Sequence, residues 1–235
     1  MQYFGGKQRI SKDLSEFLNE QIEPINTFVD LFCGSCNIIS KITATDKRIA
    51  NDKHFYLIKM FQALQKGWIP PNVVSEEEYQ HYKNNPNEFP HITGFIGFAC
   101  SFSGKWFGGY ARNNRNRNYC LDSKNSLMRK LKKLENVVFL NLDYRDFVPI
   151  KNSIIYCDIP YKNSTPYARK EVGIFNHNDF YQWIIKTSEI AKIYVSEYIQ
   201  NVPEYAKIVW EIDSRKDIRN KNNELEKTKE VLFTI

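Results

Sequence analysis

The chain has 235 residues, enough for one large domain or a core with one sizeable insertion, and 42% of them are apolar. No apolar run approaches the length of a membrane span, and M-Q-Y-F-G-G-K-Q lacks a secretion-signal core, so a cytoplasmic protein with no membrane partner is expected. The net charge is +6, and five scattered cysteines, an odd number, fit reduced thiols better than a disulfide framework.

Residues 8 to 19 carry a helical pattern, and T-F-V-D-L-F (27–32) reads as a buried strand. A small-residue turn follows, with a helix expected to open near Cys36. The short strand R-I-A-N-D ends at Asp52. Residues 53 to 66 put Leu57, Phe61 and Leu64 on one helical face, with Ile58 beside it, until Trp68-Ile69-Pro70-Pro71 breaks the helix. Ser75 followed by Glu78 predicts a capping box for a short polar helix. From about 68 to 135 the strand–helix rhythm disappears, which suggests a mainly helical insertion. Strands resume at V-V-F-L-N (137–141) and S-I-I-Y-C (153–157). A helix follows at about 178 to 191, then strands at 192–196, 206–212 and 230–235. The polar segment R-K-D-I-R-N-K-N-N-E-L-E-K (215–227) is expected to be a mobile loop. There is no internal repeat. The alternation predicts an α/β fold whose mostly parallel sheet has an antiparallel end. Two core segments, 1–67 and 136–235, would flank an insertion at 68–135.

All the positive excess lies in one stretch. Nine Lys or Arg and a single acid, Asp122, fall between Lys105 and Lys133. Its first part, G-K-W-F-G-G-Y-A-R-N-N-R-N-R-N-Y, interleaves Lys105, Arg112, Arg115 and Arg117 with Asn and with rings such as Tyr110. Phosphate contacts, base-edge hydrogen bonds and stacking surfaces are thus offered together. A solvated loop is the alternative, and the stretch does not distinguish DNA from RNA.

In F-V-D-L-F-C-G-S-C-N (28–37) a strand runs into a small-residue turn, an arrangement that brings backbone close to a nucleoside ligand. Asp52 ends the next strand, 22 residues after Asp30, a spacing suited to ribose hydroxyls. With only Gly34 present this is not the dinucleotide fingerprint, and no phosphate-binding Walker sequence occurs, which disfavours an NAD enzyme and an NTPase. Cys33-x-x-Cys36 could be a redox couple or half a metal site. No second pair exists, His54, His81, His91 and His177 lack ligand spacing, and no metal is expected. The histidines fit surface or cap positions. S-I-I-Y-C-D-I-P-Y ends a strand in Asp158, Pro160 and Tyr161, which places a carboxylate and a ring at a sheet rim. Strand termination alone would also account for it.

Tyr3-Phe4-Gly5-Gly6-Lys7, Asp30-Leu31-Phe32-Cys33-Gly34-Ser35, Asn51-Asp52, Asn141-Leu142-Asp143-Tyr144 and Asp158-Ile159-Pro160-Tyr161 occur in that order. From residue 3 to about 198 the chain resembles the Dam-like, phage-type family of S-adenosylmethionine-dependent DNA adenine-N6 methyltransferases. The resemblance implies a Rossmann-like methyltransferase sheet with an inserted, mainly helical target-recognition domain. Tyr3, Gly5 and Lys7 would line the cofactor site, and the Asp30–Phe32–Gly34 turn would lie under the methionine moiety. Asp52 would bind the ribose, Asp143 and Tyr144 the cofactor's adenine. Asp158, Ile159, Pro160 and Tyr161 match the catalytic tetrapeptide, with Asp158 also bordering the cofactor. The Asp158 carboxylate and the carbonyl of residue 159 would hold both amino hydrogens of a flipped adenine, with the Tyr161 ring stacked on it.

Two positions depart from the family pattern. Cys36 replaces a glycine, and Ile159 replaces the first proline, whose backbone carbonyl any residue can supply. Lys105, Tyr110, Arg112, Arg115 and Arg117 would contact double-stranded DNA, and a monomer or weak dimer is expected. Cytosine C5 methylation is excluded because no Pro-Cys dipeptide occurs. N4-cytosine and RNA methylation use similar logic and stay open, as does a non-catalytic nucleic-acid-binding protein with this fold. The elements associated with GATC recognition are absent, so neither the target site nor a role in restriction protection or regulation follows.

Overall fold

The computed structural model describes all residues except 2, 4, 113–116, 163–168 and 220–224, and all their side chains except those at 169–170, 215–219 and 225–227. In chain order the elements are α1 (Ser11–Glu20), β1 (Thr27–Asp30), β2 (Arg48–Asn51), α2 (Phe55–Gln65), α3 (Glu76–Asn84), α4 (Pro90–Ala99) and α5 (Tyr119–Leu131). Then follow β3 (Val137–Leu140), β4 (Ser153–Asp158), α6 (Arg169–Val172), α7 (His177–Ser188), β5 (Lys192–Tyr198), β6 (Lys207–Arg219) and β7 (Leu225–Thr234).

The strands form one sheet in the order β3-β2-β1-β4-β5-β7-β6. β1 to β5 are mutually parallel, and β7 enters antiparallel between β5 and β6. Both faces of the central strands are covered, so their apolar runs split by alternation. Phe28, Ile154, Tyr156, Tyr194 and Leu232 point into one core with α1, α2, α4 and α5. Val29, Ile155, Cys157, Val195 and Phe233 point into the other, against Phe180 and Ile184 of α7. Strand order reverses between β1 and β4, and in open α/β sheets ligands bind at that switch, beyond the carboxyl ends of the strands.

Helix starts follow local chemistry. Ser75 and Glu78 form the expected capping box at α3, with bonds of 3.1 and 2.7 Å. Asn118 and Asn176 cap α5 and α7, and Pro90 takes the first turn of α4, where no amide donor is needed. Residues 68–135 hold α3, α4 and α5, and buried side chains of this segment (Val74, Tyr79, Phe95, Leu127) join the same core as α1 and α2.

Two expectations fail. No α-helix opens at Cys36; a single 3-10 turn spans Ile39–Lys41. Cys36 itself stands at φ 58°, and the β-branched Ile38, Ile39 and Ile42 are all buried, so the segment is wrapped for packing rather than wound. Nor is 215–227 a loop throughout. β6 runs on to Arg219 and β7 begins at Leu225, paired through Asp213↔Lys229 and Arg215↔Lys227, with residues 220–224 outside the described ones. A ladder satisfies backbone donors whatever the side chains are, so a polar hairpin arm leaves no apolar trace. Among the described residues no helix is long and apolar enough to cross a membrane.

Candidate active site

A cavity of about 1170 Å³ opens at the carboxyl ends of β1, β2 and β4. Its size exceeds the usual range for one small ligand, about 300–1,000 Å³. Asn51, last in β2, staples its floor. Its amide donates to the carbonyls of Leu31 (3.0 Å) and Leu142 (3.1 Å) and accepts from the Leu142 amide (2.9 Å). The exits of β1, β2 and β3 are therefore held in one register. Asn141 adds bonds to the carbonyls of Asp52 (2.8 Å) and Lys53 (3.1 Å).

The turn after β1 carries Gly34 at φ 46°, with the Tyr3 ring pressed against it; a β-carbon there would lie 3.0 Å from that ring. Asp52 accepts from the amides of Gly34 (3.0 Å) and His54 (2.8 Å), so it ties this turn to the start of α2. Burial raises its pKa against those two bonds. Asp30 is buried, and burial, followed by the charge of Asp158, pushes its carboxyl well up. Asp30 Oδ1 and Ser35 Oγ are buried and unpartnered on the cavity wall. A buried polar atom without a partner is costly, and a ligand with an ammonium and a carboxylate would supply what these two lack. Phe32, Tyr144 and Phe175 form an aromatic wall with centroid separations of 5.7–5.9 Å. Beside it Asp143 is gripped by Arg145 (two bonds of 2.8 Å) and by Lys53 (2.8 Å), which hold its carboxyl well below the usual range. The donor set, the unpartnered acceptors and the ring wall fit a charged nucleoside such as the expected cofactor.

Across the cavity stands the tetrapeptide. Lys7 Nζ lies 2.8 Å from Asp158 Oδ1 and 2.6 Å from Glu230 Oε1, and also donates to the Tyr161 hydroxyl. Tyr161 in turn donates to Glu230 Oε1 at 2.6 Å. Burial opposes the charge on Lys7, but the two carboxylates more than offset it and its pKa is raised. For Asp158 burial dominates over Lys7, aided by the charges of Glu230 and Glu197, and the pKa is pushed up to about 6. Glu197 fastens the chain leaving the tetrapeptide. It accepts from the amides of Lys162 (3.1 Å) and Tyr198 (2.7 Å) and from Asn201 (3.1 Å). His177 bonds the Pro160 carbonyl at 2.8 Å, so its Nε2 carries the proton.

The structure brings together Tyr3, Gly5, Lys7, Asp30, Phe32, Gly34, Asp52, Asp143, Tyr144, Asp158, Ile159, Pro160 and Tyr161 around one cavity. It does not bring Lys105, Tyr110, Arg112 or Arg117 to that wall, and Arg115 lies outside the described residues. Arg112 pairs with Glu76 and Arg117 with Asp122, both exposed, while the Tyr110 hydroxyl donates to the Val74 carbonyl at 2.7 Å. Sequence reasoning missed Asn51, Glu230, Phe175 and His177 as site residues. Only the polar residue at the end or start of an apolar run marks Asn51 and Glu230. His54 caps α2, as a cap position predicts, but is buried, and burial lowers its pKa to about 3. Cys33 and Cys36 are buried, reduced thiols; burial raises the Cys33 pKa, the environment of an inert cysteine.

A parallel run of strands in the order β3-β2-β1-β4-β5, β7 inserted antiparallel beside β5, and a cavity at the switch point define a Rossmann-like α/β fold with room for a nucleoside-type ligand. Residues 3–103 match the model of the D12 class N6 adenine-specific DNA methyltransferases. No curated protein matches the chain. Among solved structures it is similar to a protein described as an RNA methyltransferase from Pyrococcus horikoshii (10% identity, TM-score 0.43, 95% of this chain and 79% of that one). It is also similar to one described as a methylase from Haemophilus influenzae (13%, 0.38, 96% and 88%) and to the tRNA (m1A58) methyltransferase of Aquifex aeolicus (10%, 0.36, 96% and 68%).

Proposed function

We propose that the protein methylates adenine N6 in double-stranded DNA at a specific sequence. S-adenosylmethionine is the methyl donor and, when bound, supplies an electrophilic methyl on a sulfonium. The observation that carries the reading is the Asp158 carboxylate at the rim of β4, facing a cavity large enough for a nucleoside and a base together. Adenine N6 is a poor nucleophile because its lone pair is delocalised into the ring. Asp158 and the Ile159 carbonyl accept its two hydrogens, which turns the lone pair out of conjugation and towards the methyl. Transfer would form the N6–methyl bond as the donor's methyl–sulfur bond breaks and its sulfur leaves as a neutral thioether, and the proton shed by N6 would pass to solvent from the side that Asp158 occupies. Tyr161 gives the extruded base a stacking face. Asp30, Ser35 and Asp52 bind the polar parts of the donor, and Phe32 and Tyr144 its adenine. Pre-positioning supplies most of the rate.

Residues 68–135 serve as the target-recognition segment, with Lys105, Tyr110, Arg112, Arg115 and Arg117 on its DNA face. Arg112 and Arg117 are held by exposed ion pairs, which are screened by solvent and which phosphates can replace. The test is transfer of labelled methyl to unmethylated duplex DNA with RNA and single-stranded DNA as competitors. Label in duplex DNA that excess RNA does not suppress supports the reading. Label in RNA alone, or none in any nucleic acid, overturns it.

A further inference from the structure

We propose that Glu230, on β7, is a positioning residue that shares the Lys7 ammonium with Asp158 and so controls how freely Asp158 accepts the target's amino group. The inference rests on the function proposed above and deepens it. Lys7 has three N–H donors, and all three are committed, to Asp158, Glu230 and Tyr161. The ammonium thus sits on the acceptor that the target's amino group must use. A buried cation cannot be displaced into nothing, because an unpaired charge in such a place is heavily penalised. Glu230 removes that obstacle. At 2.6 Å it already holds Lys7, so when an amino N–H takes Asp158, the ammonium keeps a full counter-charge.

The same carboxylate accepts from Tyr161 at 2.6 Å, which fixes the ring meant to stack on the base. Strand geometry makes this specific. Glu230 sits two residues before Leu232, whose side chain shares a core with Tyr156, and it pairs across to Tyr198 and Ile212. Charged and titratable groups around the pair are Lys7 from the N-terminal segment, Tyr156, Asp158 and Tyr161 from β4 and its exit, Glu197 from β5 and Asp30 from β1. Lys7 lowers the Asp158 pKa, and Glu230 raises it.

These opposite signs give the test. The acid limb of kcat/KM against pH is measured for the wild type, Glu230→Gln, Lys7→Met and the double variant, alongside carbon-13 NMR titration of the Asp158 carboxyl. In Glu230→Gln the limb and the NMR titration move down by about one pH unit, the scale of one nearby charge. Turnover at neutral pH falls roughly ten- to hundredfold, the worth of one charged hydrogen bond, because Lys7 now belongs to Asp158 alone. In Lys7→Met both move up, and the double variant returns towards the wild type. Shifts in the same direction, or no shift in either variant, overturn the proposal. Should Glu230→Gln not fold, Lys7→Met decides alone, and an unmoved titration sinks the idea. A wild type that methylates no nucleic acid would instead refute the proposed function, while the NMR arm still judges Glu230.

Discussion

In the proposed reaction, Asp158 is the residue on which the chemistry turns. Removing it as Asp158→Ala should leave a folded protein whose methyl transfer has fallen by at least roughly 10²–10³-fold, the usual loss for one preorganised group in an active site. Asp158→Asn should be nearly as damaging, since it puts donors where only acceptors serve. Circular dichroism and labelled methyl transfer on the same preparations check both. The pKa of about 6 adds a pH dependence. Below that value Asp158 is protonated and loses an acceptor, so kcat/KM should fall with one proton's slope as pH drops through about 6. It should be flat above. A limb near pH 4, the ordinary carboxylate range, would mean that burial does not act on Asp158 as described. Asp30, Asp52 and Asp158 could be read from sequence because each ends an apolar run, the position that aims a side chain at the rim. Glu230 could not, because its meaning lies in Lys7 and Tyr161, 223 and 69 residues away.

At the scale of elements, the close packing of α4 on α2 and on Trp106 depends on two glycines. A β-carbon on Gly94 would lie 2.1 Å from the Tyr56 carbonyl oxygen, and one on Gly97 would lie 2.3 Å from the Trp106 ring. Gly→Ala in a helix interior would otherwise stabilise by roughly 0.5–1 kcal/mol. Here both should destabilise, by about 1–3 kcal/mol or more. Gly94→Ala should be the worse, because backbone cannot step aside as a ring can. Urea unfolding of the two variants tests the order; a stabilised Gly94→Ala would contradict this packing. The strands β1, β4 and β5 were readable as apolar runs buried on both faces, and α3 from its capping box. The β6–β7 arm was not, since its backbone ladder needs no apolar side chains. The turn at Cys36 was missed for the opposite reason. Its apolar residues mimic a helix, while a left-handed Cys36, at a cost of about 1–2 kcal/mol, bends the chain away from one.

For the molecule as a whole, the strand order collects residues from positions 3 to 230 at one rim, and the sequence brings the positive excess into one segment, 105–133. If that segment meets DNA phosphates, Arg112→Ala or Arg117→Ala should weaken binding on every sequence. Each phosphate left without its arginine should lower the slope of log affinity against log salt by about one. Unchanged slopes in both variants would leave the charge as a solvated surface. The account as a whole meets its most direct test in the nucleosides themselves. Unmethylated duplex DNA is incubated with S-adenosylmethionine and either the wild type or Asp158→Ala, digested, and analysed by mass spectrometry. The account predicts N6-methyladenine from the wild type, confined to one sequence context, and none above background from Asp158→Ala. Equal N6-methyladenine from both proteins, or a methyl found on cytosine N4 and not on adenine, would contradict it.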